Sequence, residues 1–185
     1  MAEYDALYEA MCRNAALGSN PEYLLDAPWP LFLAFARTLT PQSYGKRIES
    51  WLLANLGWQP VPQADGRGDA IGPNGGHVEV KVTLVKQRGI ANFVQIRPWQ
   101  NLAGYCLVVI SADKSVDLLW LSKRDMGDEL VNAGFHSHGS TADRRKRDSD
   151  RLEFSLRITW REDSSVTDRW RSRYGVTAEQ LATMV

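Results

Sequence analysis

The fold of this chain is decided by one stretch of its sequence, Gly68-Asp69-Ala70-Ile71-Gly72-Pro73-Asn74-Gly75-Gly76-His77-Val78-Glu79-Val80-Lys81-Val82-Thr83. From His77 onward polar and apolar residues alternate, which predicts a half-buried strand. Side chains two positions apart on a strand point to the same face, so Glu79 and Lys81 project together while three valines pack on the other face. The glycine-rich segment 71–76 predicts a turn that folds the chain back and brings Asp69 beside Glu79.

Two carboxylates and one ammonium group on one sheet make a candidate site for a divalent metal ion. Mg²⁺ prefers carboxylate oxygens and keeps several waters. Beside a phosphodiester it lowers the pKa of a bound water and polarises the phosphoryl group. We therefore expect Asp69 and Glu79 to bind Mg²⁺, and Lys81 to stabilise charge and orient the attacking water. The simpler alternative is a charge pair on an ordinary surface strand, because Glu-x-Lys alone is a short motif.

This pattern resembles the PD-(D/E)xK nuclease superfamily, in which an acidic residue at the end of one strand precedes Glu-x-Lys on the next. Asp69 matches the first acid and Glu79-Val80-Lys81 matches the second part, whereas Gly68 stands where many members have proline. The resemblance implies an α/β fold with a restriction-endonuclease-like core, a mixed central β-sheet flanked by helices. It also implies hydrolysis of phosphodiester bonds in double-stranded DNA.

A helix is predicted upstream of this stretch. It begins at Pro41, Gly57 ends it, and its apolar residues recur at helical spacing: Ile48, Leu52, Leu53 and Leu56. Glu49 lies at the edge of that apolar stripe, a position typical of a solvated side chain. The mismatch-repair nicking endonuclease and its restriction relatives have a Gly-x-x-x-Glu helix, then Asp, then Glu-x-Lys and Thr. The segment from Gly45 to Glu49 fits that order, which implies that Glu49 supports the catalytic site from the helix.

A second strand is predicted downstream, at Phe93-Val94-Gln95-Ile96-Arg97. Strict alternation places Gln95 and Arg97 on one face and Val94 and Ile96 on the other. Gln95 suits orientation of the attacking water or contact with a phosphate, and plain solvent exposure is an equal alternative. Trp99, directly after Arg97-Pro98, is the tryptophan that we most expect to be exposed.

Two further strands complete the predicted sheet. The run from Tyr105 to Ile110 is continuously apolar, as in a central strand covered on both faces. A tight turn follows, and the segment from Val116 to Leu121 returns as another strand. Cys106 lies inside the apolar run, and the only other cysteine, Cys12, is distant in sequence, so both are expected to be reduced thiols.

The charges of the chain balance, with 22 basic and 22 acidic side chains. A protein that binds nucleic acid by charge alone is usually basic, but a specific endonuclease combines an acidic metal site with basic patches. The densest basic cluster is the run 144–147, which follows a loop with two histidines. The residues expected to contact DNA are Gln95, Arg97, His136, His138, Arg144, Arg145 and Arg147. The alternative for the run is a solvated loop balanced by nearby aspartates.

Length and composition predict a single domain, residues 1–185. The resemblance implies that it is an endonuclease domain with an N-terminal helical part (1–40), a catalytic core (41–122) and a C-terminal part (123–185) that carries the DNA-contacting loop. No apolar run approaches the ~20 residues that span a bilayer. The acidic N-terminal segment does not resemble a signal peptide. We therefore expect a cytoplasmic protein without a membrane partner.

The function predicted from these features is that of a Mg²⁺-dependent endonuclease resembling type II restriction enzymes. One catalytic centre cuts one strand, so a homodimer reading a pseudo-palindromic duplex is expected. Two alternatives stay open: a DNA repair, nicking or structure-specific nuclease, and a non-catalytic DNA-binding module on the same fold. The complete set of acids and lysine favours an enzyme, because a binding module needs no metal site.

Overall fold

The structure is a computed structural model that describes residues 41–62, 65–85, 88–134, 136 and 152–185. The chain divides into two compact units, residues 1–51 and 52–185. Of the first unit, the described part is the helical segment 41–51. The sequence-based assignment of one domain stays a prediction, and the second unit is described below by itself.

The helices and strands follow one another along the chain as α1 (Pro41–Leu56), β1 (Gln59–Pro60), β2 (Ala70–Ile71), β3 (His77–Leu84), β4 (Ile90–Ile96), β5 (Gly104–Ile110), β6 (Val116–Ser122), α2 (Lys123–Asn132), β7 (Phe154–Thr159), α3 (Ser165–Tyr174) and α4 (Ala178–Met184). Residues 41–51 of α1 belong to the first unit, and all later elements belong to the second. Six consecutive strands lie between α1 and α2, and β7 lies between α2 and α3, so helices and strands both contribute to the described part of the chain.

Within the described residues, five strands form a mixed central sheet in the order β1-β2-β3-β5-β6. β3 and β5 pair in parallel, from Val78 opposite Gly104 to Leu84 opposite Ile110, and the other neighbours pair antiparallel. β5 is buried along its whole length, as its apolar run predicts. Helices α2 and α3 pack against β6, and α2 also packs against β5. The predicted α/β class with a mixed sheet flanked by helices is therefore confirmed.

β4 leaves the central sheet and pairs antiparallel with β7 in a separate two-stranded ribbon. The pairing is irregular between Phe93 and Ile96, and both of these side chains are buried. Between them Val94 and Gln95 are exposed, and Gln95 has φ +55°. The prediction that Val94 and Ile96 share a face is wrong, because a bulge places an extra residue in the strand and interrupts its alternation.

The main hydrophobic core lies on one face of the central sheet. β5 contributes Tyr105, Leu107 and Val109, β6 contributes Leu119 and Leu121, the ribbon contributes Phe93, Ile96, Leu156 and Ile158, and the helices contribute Met126, Leu130 and Trp170. Glu79 lies directly beside Tyr105 in the parallel register, and side-by-side residues of a sheet point to the same face. The predicted acidic strand face therefore borders this core.

The predicted boundaries of α1 are present, and other helices begin at polar caps. Gly57, at φ +68°, follows the end of α1, which permits the left-handed conformation that ends many helices. Ser122 caps α2 by accepting a hydrogen bond from the Asp125 N–H. Thr177 and Gln180 form a capping box at the start of α4. At Ser122 the cap of α2 directly follows β6, so it marks where the chain leaves the central sheet.

Gly68 sets the entry into β2. Its φ is +71°, and a Cβ there would lie 2.5 Å from the carbonyl oxygen of Val78. The next residue, Asp69, donates its N–H to that same oxygen at 2.8 Å. Proline fixes φ near −65° and cannot adopt this backbone conformation. Glycine at position 68 is thus required by the left-handed turn and by the close approach of two backbones.

Replacing Gly68 by alanine tests this constraint, with Gly75→Ala as the matched control. Gly75 has a similar φ of +81°, but no atom lies within 4 Å of its Cβ position. Left-handed backbone costs an alanine about 1–2 kcal/mol, and overpacking adds about 1–3 kcal/mol. We expect Gly68→Ala to lower the free energy of unfolding in urea by clearly more than Gly75→Ala. Equal losses would show that the approach to Val78 imposes no constraint.

Candidate metal and catalytic site

The hairpin of β2 and β3 brings the two predicted acids together. Ala70 pairs with Val78 and Ile71 with His77, so the same register sets Asp69 opposite Glu79. Asp69 is held by the backbone of β3 through two hydrogen bonds, from its own N–H to Val78 O at 2.8 Å and from the Val80 N–H to its Oδ2 at 2.9 Å. Its carboxylate is thereby fixed beside the strand.

Glu79 is a buried carboxylate with a cationic partner. Its relative exposure is 3%, and its Oε1 lies 2.6 Å from the Nζ of Lys81, whose side chain is 17% exposed. Burial raises the pKa of Glu79 above its ordinary value, and the negative charge of Asp69 raises it further. Lys81 and Arg97 oppose this shift but do not cancel it. The ionised form of Glu79 is therefore disfavoured in the folded protein, chiefly by burial, despite its cationic partners.

The neighbouring strand supplies an aromatic wall. Tyr105 lies beside Glu79 in the parallel register, and Leu107 lies beside Lys81. Tyr105 is fully buried and donates its hydroxyl to the carbonyl oxygen of Arg97 at 3.2 Å. Burial, and secondarily the charge of Glu79, raise the pKa of the Tyr105 phenol well above its usual value, so the group stays a neutral donor. The carboxylate therefore faces an apolar, low-dielectric surrounding on this side.

Arg97 follows β4 and acts on the site from the ribbon. Its positive charge reaches Glu79 and favours the ionised form of that carboxyl group. Its Nε donates to Glu153 Oε1 at 3.0 Å, so the guanidinium group is partly neutralised by an acid just before β7. Arg97 was predicted as a DNA contact. In the structure it forms an ion pair with Glu153 and acts electrostatically on Glu79. Glu153 was not predicted, because nothing in its local sequence reveals a partner so distant along the chain.

Gln100 ties the loop before Asp69 to the rest of the site. Its side-chain Nε2 donates to the backbone carbonyl oxygen of Gly66 at 3.0 Å, and its backbone carbonyl oxygen accepts from Lys123 Nζ at 2.7 Å. Only 4% of Gln100 is exposed. Gln100 could not be predicted from the sequence, since a single glutamine in a loop matches no pattern.

A second polar cluster lies at the start of β3. Arg67 forms a two-point ion pair with Asp65, with the Nη2–Oδ2 distance at 2.8 Å. His77 Nδ1 lies 2.9 Å from the carbonyl oxygen of Arg67, and a carbonyl only accepts, so Nδ1 carries a proton. The other ring nitrogen, Nε2, lies 3.7 Å from Asp65 Oδ2. His77 shares a strand face with Glu79, so this cluster flanks the acidic site.

The other predicted site residues are placed as follows. Glu49 belongs to the first unit and pairs with Lys46 at 2.8 Å, and its part in the site stays a prediction. Gln95 lies exposed on the bulge of β4. His136 is exposed, and its backbone oxygen accepts the Ser155 N–H at 2.7 Å. Four predicted DNA contacts lie outside the described residues, namely His138, Arg144, Arg145 and Arg147.

Asp69 and Glu79 are the residues of this site that can hold a metal ion. Among the described residues, no group of three or more histidine, cysteine, aspartate or glutamate side chains is arranged as a metal site. Mg²⁺ is commonly bound through one or two protein carboxylates, with waters and substrate phosphates completing its shell. A buried Glu79 with a raised pKa beside a second acid is also the kind of group that a cation stabilises. The donor set thus fits a hard cation that shares its ligands with substrate.

No protein-family model matches this chain, and no curated protein matches it. The interpretation of the site therefore depends on the hairpin and its surroundings.

Within the described residues, none of the helices combines the length and the apolar character needed to cross a membrane.

The Glu79–Lys81 contact predicts a pH-dependent stability. Because the folded-state pKa of Glu79 is raised, the folded protein holds its proton more tightly than the unfolded chain, and stability falls as pH rises through that pKa. Lys81→Met removes the nearest cation and raises the pKa further. We expect the variant to match wild type near pH 4.5 and to lose about 1–3 kcal/mol of unfolding free energy by about pH 8.

The control is the double variant Glu79→Gln with Lys81→Met, in which no carboxyl group titrates at position 79. Urea unfolding of the three proteins between about pH 4.5 and pH 8 isolates this group, because the other titrations are common to all three. The double variant should not show the additional loss at high pH. Identical pH profiles for wild type and Lys81→Met would contradict the assigned coupling.

Proposed function

We propose that this protein is a Mg²⁺-dependent deoxyribonuclease that hydrolyses phosphodiester bonds in double-stranded DNA, in the manner of the type II restriction endonucleases of the PD-(D/E)xK superfamily. The observation that carries the proposal is the hairpin that sets Asp69 opposite a buried Glu79, with Lys81 Nζ 2.6 Å from the Glu79 carboxylate. Two acids and one lysine on a rigid hairpin match the chemistry of metal-assisted phosphodiester hydrolysis.

Asp69 and Glu79 would hold the cation, which when bound lowers the pKa of a water and neutralises charge on the phosphate. The backbone bonds of Asp69 fix its carboxylate before substrate arrives, so little reorganisation is needed. Lys81 orients the attacking water and stabilises the charge that develops on the phosphoryl oxygens. Arg97 favours the ionised form of Glu79, and hence its ability to bind a cation. Glu49 is proposed to support the site from α1.

Burial of Glu79 favours an enzyme over a non-catalytic DNA-binding module. A carboxylate with a raised pKa beside a second acid is costly to keep. A glutamine or an apolar residue at position 79 would serve a binding module without that cost. In an enzyme, a bound cation would balance the charges of the two acids, and a bound phosphate would interact with the lysine.

DNA contact is proposed for two surfaces. The first is the exposed bulge with Gln95, together with Arg97, at the end of β4 beside the acids. The second is the segment 136–147, predicted as a basic loop, whose arginines would supply phosphate contacts. A homodimer is proposed for double-strand cleavage, because each chain carries one such centre.

Single substitutions at the hairpin test the catalytic assignment. We expect Asp69→Asn, Glu79→Gln and Lys81→Met each to lower Mg²⁺-dependent cleavage of supercoiled plasmid by at least ~100-fold, since each removes charge that stabilises the transition state. Arg124→Ala, at an exposed position on α2, is the control and should cut as wild type does. Circular dichroism confirms folding, and calorimetry should detect weaker Mg²⁺ binding by Asp69→Asn. If all three variants cleave DNA at the wild-type rate, the three hairpin residues are not catalytic.

The basic loop is tested through salt dependence. Neutralising Arg144, Arg145 and Arg147 to alanine should weaken DNA binding and reduce its salt slope by roughly one per lost phosphate contact. Fluorescence anisotropy in EDTA at several salt concentrations measures the slope without cleavage. The control neutralises two exposed charges elsewhere, Lys114 and Arg124, and should leave the slope unchanged. An unaltered slope in the triple variant would assign the arginine run to a solvated surface.

A further inference from the structure

A rigid turn, Arg97-Pro98-Trp99-Gln100, borders the acidic site. The Gln100 N–H closes the turn on the carbonyl oxygen of Arg97 at 3.1 Å, and the Tyr105 hydroxyl donates to the same oxygen at 3.2 Å. The far end is held as well, by Gln100 Nε2 on Gly66 O and by Lys123 Nζ on Gln100 O. Proline at the second position fixes one more backbone angle. The backbone of this turn is therefore set before any ligand binds.

Trp99 stands at the tip of this turn and is 42% exposed. Three other tryptophans of the second unit, Trp58, Trp160 and Trp170, are almost completely buried. When a ligand covers the exposed part of an aromatic side chain, apolar surface is removed from water, which favours binding. It also loses little conformational freedom on binding, because the turn is already ordered.

The position of the turn indicates the kind of ligand. Arg97, the first residue of the turn, acts electrostatically on Glu79, and Tyr105, which bonds to the turn, is the strand neighbour of Glu79. Trp99 is two residues from Arg97, and the bases of a substrate strand adjoin the phosphate that the proposed site would bind. Bases stack on tryptophan without regard to sequence, because every base has a π-face.

We propose that Trp99 is a stacking platform for an unpaired base of the substrate strand next to the scissile phosphate. In an intact duplex both faces of each base are covered by its neighbours, so only an unpaired, extruded or terminal base can stack on a side chain. The inference rests on the proposed nuclease function and narrows its substrate class to DNA that is opened or unpaired near the cut. Fully paired duplex is then bound mainly through its phosphates.

Binding measurements with Trp99 variants test this inference. Fluorescence anisotropy in EDTA compares a single-stranded oligonucleotide, a duplex with a short unpaired bulge and the fully paired duplex. We expect Trp99→Ala to weaken binding of the first two by about 5- to 100-fold, as for loss of one stacked base. Trp99→Phe keeps an aromatic ring and should stay within about fivefold of wild type. Val131→Ala, an exposed apolar position on α2, should change nothing.

The outcomes separate this inference from the proposed function. A loss confined to substrates with unpaired bases, and largely restored by Trp99→Phe, supports stacking. Wild-type binding by Trp99→Ala, or an equal loss on paired duplex, overturns it even if wild type cleaves DNA with Mg²⁺. Selective stacking without any Mg²⁺-dependent cleavage by wild type would instead overturn the nuclease and leave Trp99 as a nucleic-acid contact. If wild type binds none of the three DNA substrates, both the stacking role of Trp99 and the proposed nuclease function are overturned.

Discussion

The contact between Glu79 and Lys81 is the interaction on which the rest of the site depends. Burial disfavours the charged form of a carboxylate that is 3% exposed, and the Lys81 ammonium at 2.6 Å opposes that effect. Asp69 adds to the effect of burial through a second negative charge across the hairpin. The surrounding structure therefore supports an arrangement that is electrostatically unfavourable by itself, which is common where charge is reserved for a ligand.

Two layers of structure maintain that arrangement. The hairpin provides the first, since its register and the left-handed Gly68 fix the separation of the acids through backbone atoms alone. The second comes from the segment between β4 and β5, where Arg97 and Gln100 connect the ribbon, the central sheet and the loop before Asp69. The hairpin determines that Asp69 and Glu79 lie opposite each other. The segment between β4 and β5 influences the solvent exposure and the local charge of these two acids.

The sequence predicted the local features well. The hairpin, the buried strand β5 and the two ends of α1 each follow from a pattern of residues that are close together in the sequence. The bulge at Val94 and Gln95 could not be predicted, because it depends on how β4 meets β7, a strand distant in sequence. The same reason hides Glu153 and Gln100, whose partners are tens of residues away. The metal, Glu49 and the arginine loop remain predictions of the sequence pattern.

The pairing of β4 with β7 has a consequence for the order of folding. It joins Ile90 to Thr159, far apart along the chain, whereas the hairpin joins neighbours separated by one short turn. Contacts between distant segments form late, because a long loop must be closed before they contribute. The two acids are thus expected to meet while still solvated, with Glu79 titrating as an ordinary carboxyl group. The raised pKa of Glu79 would then develop only when later contacts bury the hairpin, so its titration would report the burial of the site.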